Sequence, residues 1–201
     1  MVGVSRAPIP YYRWMVFVDG ENFTIRGQEL ASRKALELRE GEYYSKDTFL
    51  WVPNSGAHTH FNSDYLQVTP QPIRSFYYTS VVGDAQRMLD IRGRLWALRF
   101  QPVVFEKKKQ QDKAKGVDIA LTKDMLTNAF LNNYDVAVLF AGDGDYVPVV
   151  EEVKRLGRIV DLVFFASNGL NDSLRLACDS FRDITDVFVS NWESYPKPSE
   201  G

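Results

Sequence analysis

The two most apolar short runs of the chain both end in acids next to glycine. Trp14-Met15-Val16-Phe17-Val18 runs into Asp19-Gly20, and Val136-Ala137-Val138-Leu139-Phe140-Ala141 runs into Gly142-Asp143-Gly144-Asp145. Short apolar runs bounded by turn formers read as strands buried on both faces, the pattern of a parallel sheet covered by helices. Ser75-Phe76-Tyr77-Tyr78-Thr79-Ser80-Val81-Val82 is another strand, rich in aromatic and β-branched residues. After Asp84, the residues Met88, Ile91, Leu95 and Leu98 recur at helical spacing, and Pro102-Val103-Val104-Phe105 is a third strand. Val117, Leu121 and Met125 mark a helix over Val117–Phe130. Val147, Val150 and Val153 mark a further helix, with Gly157 at its C-terminal cap. Residues 159–165 read as a strand, 172–181 as a helix, and Val187-Phe188-Val189 as a last short strand. Such alternation predicts an α/β fold with a mainly parallel central sheet and helices on both faces.

At roughly 150 residues per domain, 201 residues make one domain with an insertion. Its expected bounds are residues 11–192, followed by a flexible tail over 193–201. The insertion is residues 39–72, which hold Pro53, Pro70 and Pro72, both histidines and isolated aromatics without a sustained period. A stretch of that length reads as a functional loop or a mobile insert, and it is the expected surface for a protein partner or a second copy of the chain.

Composition narrows the chemistry. His58, His60 and the single cysteine, Cys178, make neither a structural zinc site nor an intramolecular disulfide, which points to a reducing compartment. If the chain is an enzyme, carboxylates are its reagents. Lys+Arg 24 against Asp+Glu 26 leaves a net charge of −2, which argues against a surface that coats duplex DNA but leaves room for a local basic strip. No run of ~18 apolar residues is present and the first ten residues lack an apolar segment, so the expectation is a cytoplasmic protein without a membrane span or signal peptide.

In open α/β sheets, ligands bind beyond the carboxyl ends of the strands. If the two acid-ended strands are neighbours, Asp19, Asp143 and Asp145 meet at one sheet edge, and Asp118, opening the helix at 117, is delivered to the same place. Carboxylates crowded together repel one another until a hard divalent cation sits among them. Each acid taken singly is explained as well by turn chemistry or helix capping. Other motifs fail at named residues. An EF-hand loop from Asp143 would need Gly where Pro148 stands and Glu where Lys154 stands, and a dinucleotide fingerprint would need Gly at Val147.

Three blocks, Val18-Asp19-Gly20-Glu21-Asn22-Phe23, Lys115-Gly116-Val117-Asp118 and Ala141-Gly142-Asp143-Gly144-Asp145-Tyr146, occur in the order and spacing of NYN domains. The segment Ser173-Leu174-Arg175-Leu176-Ala177-Cys178-Asp179-Ser180-Phe181 is similar to that family's last helix. The chain thus resembles the PIN-like nuclease domains that include the bacterial LabA-like branch, over residues 14–189 apart from the insertion. The resemblance implies a PIN-like three-layer α/β/α sandwich and a metal-dependent ribonuclease site using Mg²⁺ or Mn²⁺. It carries over Asp19, Asp118, Asp143 and Asp145 as metal acids and Asn22 as the polar group that orients phosphate or water. Ala141 stands where many relatives have Ser.

Lys107, Lys108, Lys109, Lys113 and Lys115 lead directly into Gly116 and Asp118. They read either as a solvated loop or as a strip along a phosphate backbone entering the acidic site, with Arg26 a further phosphate contact. Tyr11, Tyr12, Trp14 and Phe76-Tyr77-Tyr78 read as core and edge cover in preference to base-stacking groups. The expected activity is metal-dependent hydrolysis of phosphodiester bonds in single-stranded RNA. The alternatives are a catalytically inactive PIN-like module that binds RNA or a protein, and a phosphohydrolase acting on a small nucleotide.

Overall fold

The computed structural model describes residues 11–50, 69, 71–107 and 116–193. Six strands, β1 (Trp14–Asp19), β4 (Arg74–Val82), β5 (Gln101–Lys107), β6 (Val136–Phe140), β7 (Ile159–Phe164) and β8 (Ser180–Asp183), form one sheet in the order β5-β4-β1-β6-β7-β8. Every neighbouring pair is parallel. From β1 the chain winds outward through β4 and β5, then crosses back to β6 and winds the other way, so the order reverses between β1 and β6.

Alternation along β1 sends its side chains into two separate cores. Trp14, Val16 and Val18 pack with Phe23, Leu30 and Ala31 of α1 (Gly20–Arg33), Ile91 and Leu95 of α2 (Ala85–Ala97) and Phe188 of α6 (Thr185–Glu193). Met15 and Phe17 pack with Val117, Leu121 and Met125 of α3 (Val117–Phe130), Val149, Val150 and Val153 of α4 (Val147–Arg155) and Leu174 of α5 (Asp172–Ala177). The result is the three-layer α/β/α sandwich expected for a PIN-like domain. No helix among the described residues is long and apolar enough to cross a membrane.

Three local expectations change. The helix expected over 172–181 stops at Ala177, because the Asp179 amide donates to the Val160 carbonyl and the chain from Ser180 joins the open edge of β7. Val187-Phe188-Val189 is helical: Asp183 Oδ1 accepts from the Thr185 amide, and Phe188 turns onto Phe165 and stacks on Trp192, so packing overrides β propensity. Within the insertion, β2 (Tyr44–Ser45) and β3 (Phe49–Leu50) form a hairpin with Tyr44, Phe49 and Leu50 buried against α1, so its first part belongs to the core. Residues 51–68, with both histidines, and the tail over 194–201 lie outside the described residues.

Gly93 is exposed in the middle of α2, and an added Cβ there meets nothing within 4 Å. Gly93→Ala is expected to raise stability by about 0.5–1 kcal/mol, read as an upward shift of the melting temperature by about 2 °C. No shift or a downward one would show that α2 is constrained by something other than helix propensity.

Candidate active site

Asp19 is the last residue of β1, and Val18 of that strand pairs with Phe140 at the end of β6. The two acid-ended strands are therefore neighbours, at the point where strand order reverses, which is where an open α/β sheet leaves a crevice. Asp19 has the same parity as Met15 and Phe17, which directs it to the side of the sheet covered by α3 and α4. It is 4% exposed, and both its oxygens are engaged. Oδ1 accepts the Asn22 amide at 3.0 Å and so caps α1, while Oδ2 accepts the Tyr146 hydroxyl at 2.9 Å.

Tyr146 ends the single 3₁₀ turn Gly144–Tyr146 that follows β6. Its hydroxyl also lies 3.1 Å from Asp118 Oδ1, in the first turn of α3. Asp118, Asp143 and Asp145 are exposed, and Asp143 Oδ1 accepts the Asp145 amide across the turn. Asn22 Oδ1 accepts the Gly142 amide at 3.0 Å, tying the start of α1 to the end of β6. Gly142 fits there because a Cβ would lie 2.4 Å from both the Gly169 carbonyl oxygen and the Phe164 ring.

The charges interact. Burial, then the charges of Asp118 and Glu21, push Asp19 up to about 7 against the opposing hydrogen bonds from Asn22 and Tyr146. Asp118 is raised in the same direction, by desolvation first and then by the charges of Asp143, Asp145 and Glu21, with the Tyr146 hydroxyl opposing. Asp19, Asp118, Asp143 and Asp145 thus share one patch of negative potential. Its donors are carboxylate oxygens, the set a hard divalent cation prefers. In donor chemistry the residues fit Mg²⁺ or Mn²⁺. Asp19, Asp118 and Asp143 already accept hydrogen bonds within the fold, however, and among the described residues no three His, Cys, Asp or Glu side chains are gathered closely enough to hold a metal as they stand.

Lys107 and Arg26 are both committed to acids. The Lys107 side chain, 9% exposed, pairs through its ammonium with Glu21, whose other oxygen accepts the Ser80 hydroxyl at 2.7 Å. Arg26 pairs with Glu29 at 2.9 Å and lies against Gly169, leaving no room for a side chain at that position. The Arg26 carbonyl accepts the Asn168 side-chain amide, and the Asn171 amide donates to the Gly142 carbonyl, so the 168–171 loop is fastened beside the acids. Lys108, Lys109, Lys113 and Lys115 lie outside the described residues. Sequence reasoning assigned no role to Tyr146, Glu21 or Ser80, and it read Lys107 as part of a loop or phosphate strip, not as the buried partner of Glu21. The available signal was an oxygen-bearing aromatic one residue after Asp145, but its reach to Asp19 and Asp118 depends on how α3 packs.

No curated protein matches the chain. The solved structure of a protein of unknown function from Vibrio parahaemolyticus is similar with a TM-score of 0.60, covering 89% of this chain and 96% of that one at 14% identity, a likeness of fold. The NYN domain profile matches residues 13–185, from just before β1 to the first residue of α6, and the chain belongs to this family of PIN-like nuclease domains.

Proposed function

We propose that the chain is a divalent-metal-dependent ribonuclease that hydrolyses phosphodiester bonds of single-stranded RNA, working in the cytoplasm. The observation that carries this reading is the patch of acids at the β1/β6 reversal in a chain of the NYN family. Asp19, Asp118, Asp143 and Asp145 would hold Mg²⁺ or Mn²⁺. Such an ion would lower the pKa of a coordinated water and offset charge on the leaving oxygen. Asn22 spends its carbonyl oxygen on Gly142, which leaves its amide N–H donors to orient a phosphate oxygen or the attacking water. Lys108, Lys109, Lys113 and Lys115 would line the approach of the phosphate backbone, while Lys107 and Arg26 are held by Glu21 and Glu29; phosphate contacts of this kind add affinity and salt dependence but read no sequence.

One observation favours the second reading, a PIN-like module that binds RNA or a protein without cutting: each of Asp19, Asp118 and Asp143 already accepts a hydrogen bond from within the fold. Labelled single-stranded RNA incubated with Mn²⁺, Mg²⁺ or EDTA separates the two. Cleavage that requires metal and falls roughly 100-fold or more in Asp143→Asn supports the nuclease. Full activity in that variant overturns the carboxylate mechanism, and RNA binding without turnover under every metal supports the module.

A further inference from the structure

Tyr146 joins three segments that are distant in sequence: the β6–α4 turn that carries it, the end of β1 and the first turn of α3. Its ring is 1% exposed and packs in the core beneath α3, α4 and α5, with Val117, Leu121 and Leu174 in the same cluster. Packing alone does not call for the oxygen, since phenylalanine fills nearly the same volume. The hydroxyl carries one proton and meets two carboxylates, Asp19 Oδ2 at 2.9 Å and Asp118 Oδ1 at 3.1 Å. Among the described residues it is the hydrogen-bond partner of Asp118. Drawing two like charges towards one donor opposes folding, so an arrangement chosen for stability would keep them apart. An unfavourable geometry held by a locked ring is how ligands are preorganised for something that binds them.

We infer that Tyr146 is a positioning residue, whose hydroxyl ties the Asp19 and Asp118 carboxylates to one point and so strengthens the binding of a divalent cation. The inference rests on the metal site proposed above. A hydrogen-bond partner of a ligating carboxylate typically contributes 10–100-fold in metal affinity.

Isothermal titration of the RNA-free protein with Mn²⁺ tests it, comparing the native chain with Tyr146→Phe and Tyr134→Phe. Tyr134 is a buried tyrosine of the same core whose hydroxyl donates to the Met125 carbonyl at 2.9 Å and touches no acid. The expected result is Mn²⁺ binding about 10–100-fold weaker in Tyr146→Phe and unchanged in Tyr134→Phe, with both variants folded by circular dichroism. Equal or tighter binding by Tyr146→Phe overturns the inference while leaving the metal site standing, and so does an equal loss in both variants. Absence of Mn²⁺ binding by the native chain overturns the metal site and the tyrosine's role with it.

Discussion

Asp19→Asn is expected to move activity and stability in opposite directions. The proposed cleavage of single-stranded RNA should fall by roughly 1,000-fold or more, because Asp19 is the acid common to the β1 end, the Tyr146 hydroxyl and the α1 cap. Metal-free stability at pH 8 should rise. Asp19 titrates near 7 in the folded chain, pushed there by burial and by Asp118 and Glu21, against about 3.9 in an unfolded one. Between those values the folded state binds a proton the unfolded state has lost, so stability falls as pH rises from about 4 to 7 and stays low above that. The displacement corresponds to about 4 kcal/mol. Asparagine gives up the ionic part of the bonds to Asn22 and Tyr146, so a net gain of about 5 °C in melting temperature at pH 8 in EDTA is the expected reading. At pH 4 the difference should vanish or reverse. With saturating Mg²⁺ the native chain should regain the advantage, because ligand bound only to the folded state stabilises it. Calorimetry of both proteins at pH 4 and 8, with EDTA or Mg²⁺, checks the sign. A variant that melts below the native chain in EDTA at pH 8 would contradict the electrostatic account, and one that still cuts RNA would contradict the catalytic one.

Gly142→Ala should be strongly destabilising, because the added methyl meets a backbone atom as well as a buried ring. Its Cβ would lie 2.4 Å from the Gly169 carbonyl oxygen, a backbone atom, and 2.4 and 3.0 Å from carbons of the fully buried Phe164 ring. Gly169 has φ +79 and packs against Arg26, so the loop has little freedom to retreat. Overpacking of this kind costs about 3 kcal/mol, and the shift would also stretch the bonds from the Gly142 amide to Asn22 and from the Asn171 amide to Gly142. The expected loss is about 10 °C in melting temperature, together with the RNA cleavage proposed for the site. Gly157 is a useful contrast: its φ is +77, but a Cβ there meets nothing within 4 Å, so Gly157→Ala carries backbone strain alone, about 1 kcal/mol. Equal effects at the two positions would show that the close approach of Gly142 to Gly169 is unimportant.

Much of the frame can be read along the chain. The helix over Val117–Phe130 has the bounds its periodicity indicates, and β1, β4, β6 and β7 lie where short apolar runs stop at turn formers. These features are legible because a strand or helix buried by its neighbours must repeat apolar residues at the spacing of its own backbone. The helix α1 is harder to see: Gly20, Thr24 and Gly27 stand among Phe23, Leu30 and Ala31 on its buried face, and its packing surface is partly the hairpin containing Leu50. The end of α5 and the helical state of Val187–Val189 are hidden for a related reason, since each follows from which neighbour offers hydrogen bonds or a hydrophobic surface.

For the candidate site, the chain by itself places Asp19, Asp143 and Asp145 at strand ends, Asp118 at a helix start and Asn22 three residues after the first acid. Local spacing settles that much because sheet strands must end in turns and those turns lie at the sheet edge. Whether the edges meet depends on the crossover that sets β1 beside β6, and on the packing that carries the Tyr146 hydroxyl to Asp19, 127 residues away, and to Asp118. The pairing of Lys107 with Glu21, 86 residues away, has the same origin. Periodicity records which side of an element is buried and is silent about which element buries it; partner and distance are properties of the packed chain.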